Sequence, residues 1–366
     1  MNKEKTGSNS TLHKANKAKK DEFYTQLIDI EKELKYYKSQ FKDKIVYCNC
    51  DDPFESNFFK YFATNFNELG LKRLIATSYK PSPIANTQLE LFGESKTIKQ
   101  SKGRPKATAN KFIINEVSDL DGDGAFDIRD IAEQLKANKN NEWSPIKGDG
   151  DFRSEESIEL LKQADIVVTN PPFSLFREYL AQLVEYNKNF LIIGNTNAVT
   201  YKEVFKLIKD NKFRTGYTNF NVGMFFEVPD DWEKYHHVDK NGKKIARVST
   251  SCWFTNLEVE KHKQDIVLYK KYSTGDYPKY DNYKAIEVSK VAEIPMDYKK
   301  VMGVPITFID KYNPNQFEIV ARADANIANE NNKYHIGGFS DKGGAPMVNG
   351  KFIYKRILIK NKKPIK

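Results

Sequence analysis

The hydrophobic pattern alternates short apolar runs with longer segments whose apolar residues recur at helical spacing. Short runs that are rich in β-branched residues and bounded by polar or breaking residues predict strands buried on both faces. These runs predict strands at 44–50, 71–78, 165–169, 190–195 and 248–257, the last as an edge or closing strand. Helical spacing predicts helices between most of them. This strand–helix order predicts an α/β fold with a largely parallel sheet.

Two parts of the chain depart from that order. Residues 80 to about 147 interrupt the strand–helix rhythm, and an insertion of that length is typical of a functional element. Beyond residue 258 the pattern becomes short strands and loops rich in Lys, Tyr and Asn. We therefore predict a flexible basic tail over 1–20, a catalytic domain over 21–257 that contains the insertion, and a smaller mixed α/β recognition region over 258–366.

The composition favours a polyanionic partner without identifying one. The formal net charge is +10, the isoelectric point is near 9.1, and the last sixteen residues carry seven basic residues and no acid. Three cysteines give no disulfide framework and indicate a reduced cytosolic protein. No apolar run approaches the roughly 18 residues of a membrane span, and the N-terminus is polar, unlike a signal peptide. We expect a cytoplasmic monomer with no membrane contact.

The stretch 165–173 carries the clearest chemical signal. Its apolar run ends in Asn170-Pro171-Pro172-Phe173, where two prolines fix φ and remove two backbone donors. The strand must stop there, which leaves an amide, two carbonyls and an aromatic ring at the carboxyl end of a sheet strand. Ligands bind at this edge in open α/β sheets. The plain structural alternative is a Pro-Pro turn with Phe173 in the core.

Asn-Pro-Pro-Phe in this setting resembles the catalytic motif of the N6-adenine and related amino-group methyltransferases that use S-adenosylmethionine. The resemblance implies a Rossmann-like class I methyltransferase sheet with flanking helices. An exocyclic amino nitrogen is a poor nucleophile because its lone pair is delocalised into the ring. The side-chain oxygen of Asn170 and the carbonyl of Pro171 would accept its two hydrogens and stabilise the positive charge that develops. Phe173 would stack on the base and hold it near the methyl group.

Three upstream segments resemble the cofactor motifs of these enzymes. Asp-Glu-Phe-Tyr-Thr at 21–25 is similar to the N-terminal motif, with an ordinary helix entry as the alternative. The exit of the first strand keeps Asp-Pro-Phe at 52–54 but lacks the glycines that usually let the backbone close around the cofactor, and its serine can instead cap a helix. Gly-Asp-Phe at 150–152 resembles the third motif, whose carboxylate accepts from the cofactor's adenine. The predicted cofactor-binding residues are Phe23, Tyr24, Thr25, Asn49, Asp51, Asp52, Ser56, Asp151 and Phe152.

The match is closer to one family than to the others. Segments 46–53, 56–62, 148–154 and 165–186 resemble the EcoRI-type adenine DNA methyltransferases, including their glycine-poor cofactor loop. The resemblance implies methyl transfer to N6 of one adenine in a short duplex DNA site, with a GAATTC-like sequence as one candidate, after the base is flipped out. It also implies protection of that site from a paired endonuclease. The candidates for stacking on the extruded base are Tyr217 and Phe220.

Short signals also occur in the insertion. The segment from Gln88 to Phe92 resembles the peptide by which bacterial DNA enzymes dock on the sliding clamp, with an ordinary amphipathic segment as the alternative. Lys-Gly-Arg-Pro-Lys at 102–106 resembles an AT-hook core, and a basic loop that contacts phosphates is equally compatible. We predict no metal, and we favour a glycine-rich acidic turn between two strands over a calcium loop. The acids with calcium-loop spacing are Asp119, Asp121, Asp123 and Asp130.

Two other functions remain open on sequence grounds. Asn-Pro-Pro-aromatic also occurs in enzymes that methylate RNA or protein glutamine, because those amino groups pose a similar chemical problem. A catalytically inactive DNA-binding module would explain the missing glycines of the cofactor loop. The basic C-terminal region and the DNA-like signals of the insertion favour DNA over RNA or protein as the substrate, and the altered glycine loop is the only sequence feature that supports an inactive module.

Overall fold

The computed structural model shows a mixed α/β fold, as predicted. The residues that it describes are 23–50, 56–78, 109–118, 140–146, 150–230, 232–325, 332–336 and 343–365. The clamp-like segment from Gln88 to Phe92, the AT-hook-like segment and the calcium-loop aspartates lie outside these residues. None of the helices within these ranges is long and apolar enough to cross a membrane.

The chain divides into two compact units. The first consists of Met1–Asn195 and Gly216–Leu257, and the second of Thr196–Thr215 and Glu258–Lys366. The units are defined by packing alone, so the catalytic domain at 21–257 and the recognition region at 258–366 stay predictions about function.

Elements are numbered in chain order within the described residues. The strands are β1 (Tyr24–Thr25), β2 (Ile45–Cys48), β3 (Arg73–Thr77), β4 (Asn110–Ile114), β5 (Glu142–Pro145), β6 (Ile166–Thr169), β7 (Asn189–Asn195), β8 (Arg214–Thr215), β9 (Met224–Val228), β10 (His237–Val238), β11 (Lys244–Val248), β12 (Ser251–Thr255), β13 (Ile286–Glu287), β14 (Met302–Pro305), β15 (Phe317–Ala323), β16 (Met347–Val348), β17 (Lys351–Phe352) and β18 (Arg356–Asn361). The α-helices are α1 (Leu27–Leu34), α2 (Lys38–Phe41), α3 (Asn57–Thr64), α4 (Phe66–Leu69), α5 (Glu155–Gln163), α6 (Phe176–Glu185) and α7 (Lys202–Lys209). Short 3₁₀ turns are Phe173–Leu175, Thr196–Thr200, Glu260–Lys263, Val291–Glu293 and Ile306–Lys311.

The main sheet of the first unit has the order β5-β4-β3-β2-β6-β7-β12. Its four central strands, β3, β2, β6 and β7, are parallel, and β4, β5 and β12 pair antiparallel beside them. At the centre, Tyr47 pairs with Ile75 on one side and with Val167 on the other. Parallel neighbours place the carboxyl ends of these strands at one edge of the sheet.

The predicted insertion contributes two strands to this sheet. β4 and β5 both come from the segment between 80 and 147, and they extend the sheet outward from β3. The ring of Phe112 in β4 stacks on Trp143 in β5 at a centroid distance of 5.7 Å. The acidic segment with calcium-loop spacing lies in the chain between these strands, outside the described residues.

A second, smaller sheet in the first unit has the order β1-β9-β11-β10, with antiparallel pairs throughout. β1 is only two residues long, and it pairs Tyr24 with Glu227 and Thr25 with Phe226. An isolated two-residue strand would not be stable in water, so β9 holds the N-terminal segment in place.

Local sequence explains where several helices begin and end. The hydroxyl of Ser56 accepts from the backbone N–H groups at the start of α3, and Ser154 caps α5 in the same way. Two acidic residues in the first turn of α5 add favourable interactions with the helix dipole. Gly70 ends α4 with φ of 61°, a left-handed conformation that glycine adopts without strain.

The second unit is built on a sheet of order β13-β14-β18-β15. Glu287, in β13 of this sheet, is buried, and its carboxylate accepts from the Arg356 guanidinium and from the Tyr280 hydroxyl. Gly303 is required there, because an added Cβ would lie 2.1 Å from the Tyr280 hydroxyl. β15 carries a β-bulge near Val320, where its register with β18 shifts.

Candidate active site

Asn170 lies at the carboxyl edge of the main sheet, where strand β6 ends. All four β6 residues are buried, because β2 and β7 pair with it on both sides. Asn170 follows directly and is only 6% exposed. The carbonyl of Pro172 then accepts from the backbone N–H of Leu175 at 3.0 Å, which starts the short turn before α6. The two prolines therefore stop the strand where the sequence predicts it.

Within the described residues, only the nitrogen of the Asn170 side-chain amide has a hydrogen-bond partner. Its Nδ2 donates to the carbonyl of Phe23 at 2.7 Å. A carbonyl can only accept, so the amino end of the amide must face Phe23. Its Oδ1 is buried and has no hydrogen-bond partner among the described residues. Such an atom costs about 1–3 kcal/mol in a folded protein unless a ligand donates to it.

Strand β1 carries a second polar atom of this kind. The Thr25 hydroxyl is buried and, in the part of the chain that the structure describes, has no hydrogen-bond partner. The Thr25 carbonyl accepts from the side-chain Nδ2 of Asn57 at 2.7 Å, which fixes β1 against the start of α3. Thr25 follows Phe23, whose carbonyl binds the Asn170 amide, by two residues in the chain.

Four aromatic side chains, here called the aromatic cluster, pack beside the turn that follows Asn170. The Phe23 ring lies 6.0 Å from Phe173, 5.9 Å from Phe226 and 5.4 Å from Trp232, measured between centroids. Phe226 also meets Phe173 edge-on at 6.2 Å. The cluster brings together two residues that the sequence assigned to different motifs, Phe23 and Phe173.

Sequence reasoning did not find Phe226 and Trp232. The alternating burial of β9 points Phe226 inward, and this alternation is present in the sequence Met-Phe-Phe-Glu-Val at 224–228. A strand pattern alone, however, does not say which sheet the strand joins. Only its pairing with β1 brings Phe226 to the Asn170 turn.

The exit of β2 is occupied by Asn49 and Cys50. The Asn49 Oδ1 accepts from the hydroxyl of Tyr179 and from the Cys50 thiol, and the Thr169 hydroxyl donates to the Asn49 carbonyl. Burial raises the pKa of Tyr179 well above its usual value, so this hydroxyl stays protonated and can donate. These bonds connect the ends of β2 and β6 through predicted cofactor-binding residue Asn49.

Cys50 adopts a conformation that side chains rarely take. Its φ is 70°, in the left-handed region, where a non-glycine residue pays about 1–2 kcal/mol. In this chain the left-handed residue at the strand exit is a cysteine and not a glycine. Asp51 and Asp52, the predicted cofactor ligands that follow, lie outside the described residues.

Asp151 and Phe152 follow a glycine that approaches the main sheet closely. Gly150 has φ of 75°, and an added Cβ would lie 2.0 Å from the carbonyl of Ser78 at the end of β3. The guanidinium of Arg153 binds the Asp151 carboxylate at 2.6 Å, and this hydrogen bonding lowers the pKa of Asp151. Phe152 is buried and packs edge-on against Tyr179 at 5.0 Å. The carboxylate is therefore ionised and already has one cationic partner.

The two predicted base-stacking residues lie in the loop before β9. Tyr217 stacks on Tyr36 at a centroid distance of 4.1 Å, and Phe220 is buried. The loop is fixed by Glu33 of α1, whose fully buried carboxylate accepts from the backbone N–H groups of Tyr217 and Thr218 at 2.6 and 2.7 Å. Burial raises the pKa of Glu33. Stacking of Tyr217 or Phe220 on a base stays a prediction.

Metal coordination has no candidate in the described ranges. No group of three or more His, Cys, Asp or Glu side chains there could hold a metal ion. The adjacent His236 and His237 instead contact each other through their Nδ1 atoms at 3.0 Å on the surface.

Comparison with known proteins identifies the family. The sequence model described as "Adenine-specific methyltransferase EcoRI" matches residues 11–362. The chain is 46% identical to the Type II methyltransferase M.EcoRI of Escherichia coli, covering 98% of both chains. It is 38% identical to M.MgeORF184P of Mycoplasma genitalium, covering 95% of this chain and 98% of that protein, and 36% identical to M.MpnI of Mycoplasma pneumoniae, covering 97% and 99%. Both are also named Type II methyltransferases.

No solved structure shows significant similarity to the chain. The family match spans nearly the whole sequence, and three relatives exceed 30% identity over almost their full length. The expected enzyme class, a methyltransferase, is thereby confirmed. The chain belongs to the EcoRI family of adenine-specific methyltransferases.

Proposed function

We propose that the protein transfers a methyl group from S-adenosylmethionine to N6 of one adenine in a short duplex DNA site. The relatives named Type II methyltransferases support DNA as the substrate and protection from a paired endonuclease as the role. The observation that carries the proposal is the buried Oδ1 of Asn170, at the end of β6, which has no hydrogen-bond partner in the part of the chain that the structure describes. The GAATTC-like site stays an expectation from the family resemblance.

The architecture of the first unit supports a Rossmann-like class I methyltransferase sheet. Four parallel strands, β3-β2-β6-β7, form its centre, and α3, α5 and α6 lie in the chain between them. In open sheets of this kind, ligands bind outside the carboxyl ends of the strands. Asn49 and Asn170 follow two adjacent strands at this edge.

Asn170 accounts for the chemistry at the adenine amino group. Because Nδ2 is held by the Phe23 carbonyl, Oδ1 is fixed as an acceptor before substrate binds. In the proposal, Oδ1 and the Pro171 carbonyl accept the two N6 hydrogens, which disfavours delocalisation of the nitrogen lone pair. The same two dipoles stabilise the positive charge that grows on N6. Preorganisation matters here, because dipoles that are already aligned need not reorganise during the reaction.

Phe173 provides the surface for the extruded base. The target adenine lies inside the duplex stack, so it must be flipped out at a cost of a few kcal/mol. Phe173 is half-buried, and its ring is held by edge-on contact with Phe226. Stacking on this ring would keep N6 within reach of Asn170.

Several residues of the chain fit a bound cofactor. When bound, S-adenosylmethionine supplies a methyl group on a positively charged sulfur. The buried Thr25 hydroxyl has no protein partner among the described residues and would bind its polar part. The Asp151 carboxylate accepts three hydrogen bonds from Arg153, and its remaining acceptor capacity would bind the cofactor's adenine amino group, with Phe152 packed on that ring. Asn49 is placed to support this edge, since its Oδ1 is already engaged by Tyr179.

A methyl-transfer assay with competing substrates tests the proposal. Purified protein is incubated with labelled S-adenosylmethionine and duplex DNA, tRNA, rRNA or a release factor. We expect label on duplex DNA alone, in N6-methyladenine. Label on RNA or on protein glutamine would assign the Asn170 chemistry to another amino group. Absence of cofactor binding by calorimetry would indicate an inactive DNA-binding module.

A further inference from the structure

A basic cleft lies within the second unit, with α7 and β15 in its walls. Its volume is about 970 Å³. Basic side chains outnumber acidic ones in its lining, five to three. The basic residues are Lys202, Lys206, Lys209, Arg322 and Lys333. A concave surface with an excess of positive charge suits a polyanion, provided that its lysines are regularly spaced and not engaged by the protein itself.

Helix α7 presents its lysines as a row. Lys202, Lys206 and Lys209 stand at positions i, i+4 and i+7, which lie on one face of a helix. Of the three buried residues of α7, Val204 and Ile208 lie away from that face, whereas Phe205 lines the cleft. At 1.5 Å per residue the row spans about 10 Å, and Lys202 and Lys206 stand about 6 Å apart along the helix axis.

The walls of the cleft are fixed to each other by hydrogen bonds. Arg322 is buried in β15, and its guanidinium donates to the carbonyl of Thr200, just before α7. Lys209 donates to the carbonyl of Val320, at the β-bulge of β15, with a distance of 3.3 Å. These bonds hold the lysine row against the strand before any ligand is present.

Two of the lysines are available to a ligand. Lys202 and Lys206 are exposed, and within the described residues neither side chain forms an ion pair or a hydrogen bond. On the opposite wall Lys333 lies 5.4 Å from the centre of the Tyr334 ring, so the cleft also holds an aromatic surface beside a cation. These two ammonium groups are therefore available to a ligand, and the cleft keeps a net positive charge beside its three acids, Glu203, Asp210 and Glu318.

We propose that this cleft, named the α7–β15 cleft, binds the phosphodiester backbone of duplex DNA. Lys202 and Lys206 contact adjacent phosphates, and Lys209 and Arg322 supply charge while holding the cleft in shape. Contacts of this kind carry no sequence information, so the cleft strengthens binding to every duplex equally and does not choose the methylation site. The inference rests on the proposed function, since it takes duplex DNA as the substrate.

The test removes two charges and leaves the cleft in place. Lys202→Gln/Lys206→Gln keeps good helix-forming residues at exposed positions of α7. Binding of the full-length protein to a labelled duplex is measured by fluorescence anisotropy between about 50 and 200 mM salt. Each lost phosphate contact lowers the slope of log affinity against log salt by about 0.9, so we expect a decrease of about 1.8 and up to roughly 60-fold weaker binding near 0.1 M salt.

A matched variant gives the comparison. Lys299→Gln/Lys300→Gln removes two exposed lysines of the same unit that do not line the cleft, and we expect its slope to equal that of the wild type. An unchanged slope in Lys202→Gln/Lys206→Gln, or an equal decrease in the matched variant, would overturn the cleft assignment while wild-type methylation of DNA still supports the proposed function. Failure of the wild type to bind or methylate duplex DNA would overturn both.

Discussion

Replacing Asn170 by alanine should separate catalysis from stability. The substitution removes the Nδ2 bond to the Phe23 carbonyl and also removes the buried Oδ1, which has no partner among the described residues. The lost bond is worth about 0.5–1.5 kcal/mol, and the buried unpaired acceptor costs about 1–3 kcal/mol. These effects oppose each other, and their midpoints of about 1 and about 2 kcal/mol leave a net change of about 1 kcal/mol in the free energy of unfolding.

Catalysis should respond very differently. Oδ1 is one of two acceptors proposed for the N6 hydrogens, and loss of one preorganised dipole in other enzymes lowers kcat by about 10²–10³-fold. We therefore expect Asn170→Ala to lower kcat by that factor, with binding of duplex DNA and S-adenosylmethionine largely preserved. Single-turnover methyl transfer with labelled cofactor measures the rate, and thermal unfolding measures the stability.

Asn313 provides a matched control in the second unit. It is buried like Asn170, but its amide donates to Lys263 and Asp265 and accepts from the Asn315 backbone. Asn313→Ala should destabilise the protein by about 3 kcal/mol, since three hydrogen bonds of about 1 kcal/mol are lost, and should leave kcat unchanged. Near wild-type turnover in Asn170→Ala, or a loss of stability as large as in the control, would refute the role assigned to Oδ1.

Three further substitutions test the site. Thr25→Val should weaken cofactor binding in calorimetry without lowering the melting temperature. The control Thr77→Val removes a hydroxyl that is hydrogen-bonded to Tyr47 and should lower the free energy of unfolding by about 1 kcal/mol. An equal loss of stability in both variants would argue against an unbonded hydroxyl at Thr25. Gly150→Ala should lower the free energy of unfolding, measured with denaturant, far more than Gly242→Ala. Both glycines have positive φ, but of the two only Gly150 has no room for a Cβ. Equal losses of stability in the two variants would contradict the close approach of Gly150 to the end of β3. Asp151→Ala should weaken S-adenosylmethionine binding at neutral pH, and affinity equal to that of the wild type would exclude Asp151 as a cofactor ligand. Because hydrogen bonds from Arg153 lower the pKa of Asp151, the difference in affinity should persist as the pH falls towards the ordinary carboxyl pKa of 3.8. The difference should vanish only below that range.

The central sheet was largely predictable from sequence. Each apolar run bounded by breakers became a strand, and the Pro-Pro pair ended β6 at the predicted residue. These signals are local, because a strand buried on both faces needs apolar residues at every position and proline cannot continue a ladder. The N-cap at Ser56 follows from the same kind of local chemistry.

The orientation of Asn170 could not be predicted. It depends on the Phe23 carbonyl, 147 residues earlier in the chain, and on β9, which pairs with β1 and places Phe226 in the aromatic cluster. No periodicity connects segments so far apart, because pairing between distant strands is decided by packing of the whole unit. Two strands were expected around the acidic turn of the insertion, but the addition of β4 and β5 to the main sheet beside β3 was not predicted, for the same reason.

The glycine-poor cofactor loop has a partial structural explanation. The sequence shows only that glycines are absent after β2. The structure places Cys50 in the left-handed conformation that glycine usually adopts, with Asn49 bound to Tyr179 beneath it. The backbone can therefore turn at the strand exit without a glycine, at the cost of local strain.

The most direct measurement is sequencing that detects N6-methyladenine in DNA from cells that express the wild type or Asn170→Ala. We predict methylation of one adenine within a single short duplex motif for the wild type, and its near absence for Asn170→Ala at equal protein levels. Unmethylated DNA with the wild type, or equal methylation with both proteins, would contradict the claim that Asn170 activates the amino group of a DNA adenine.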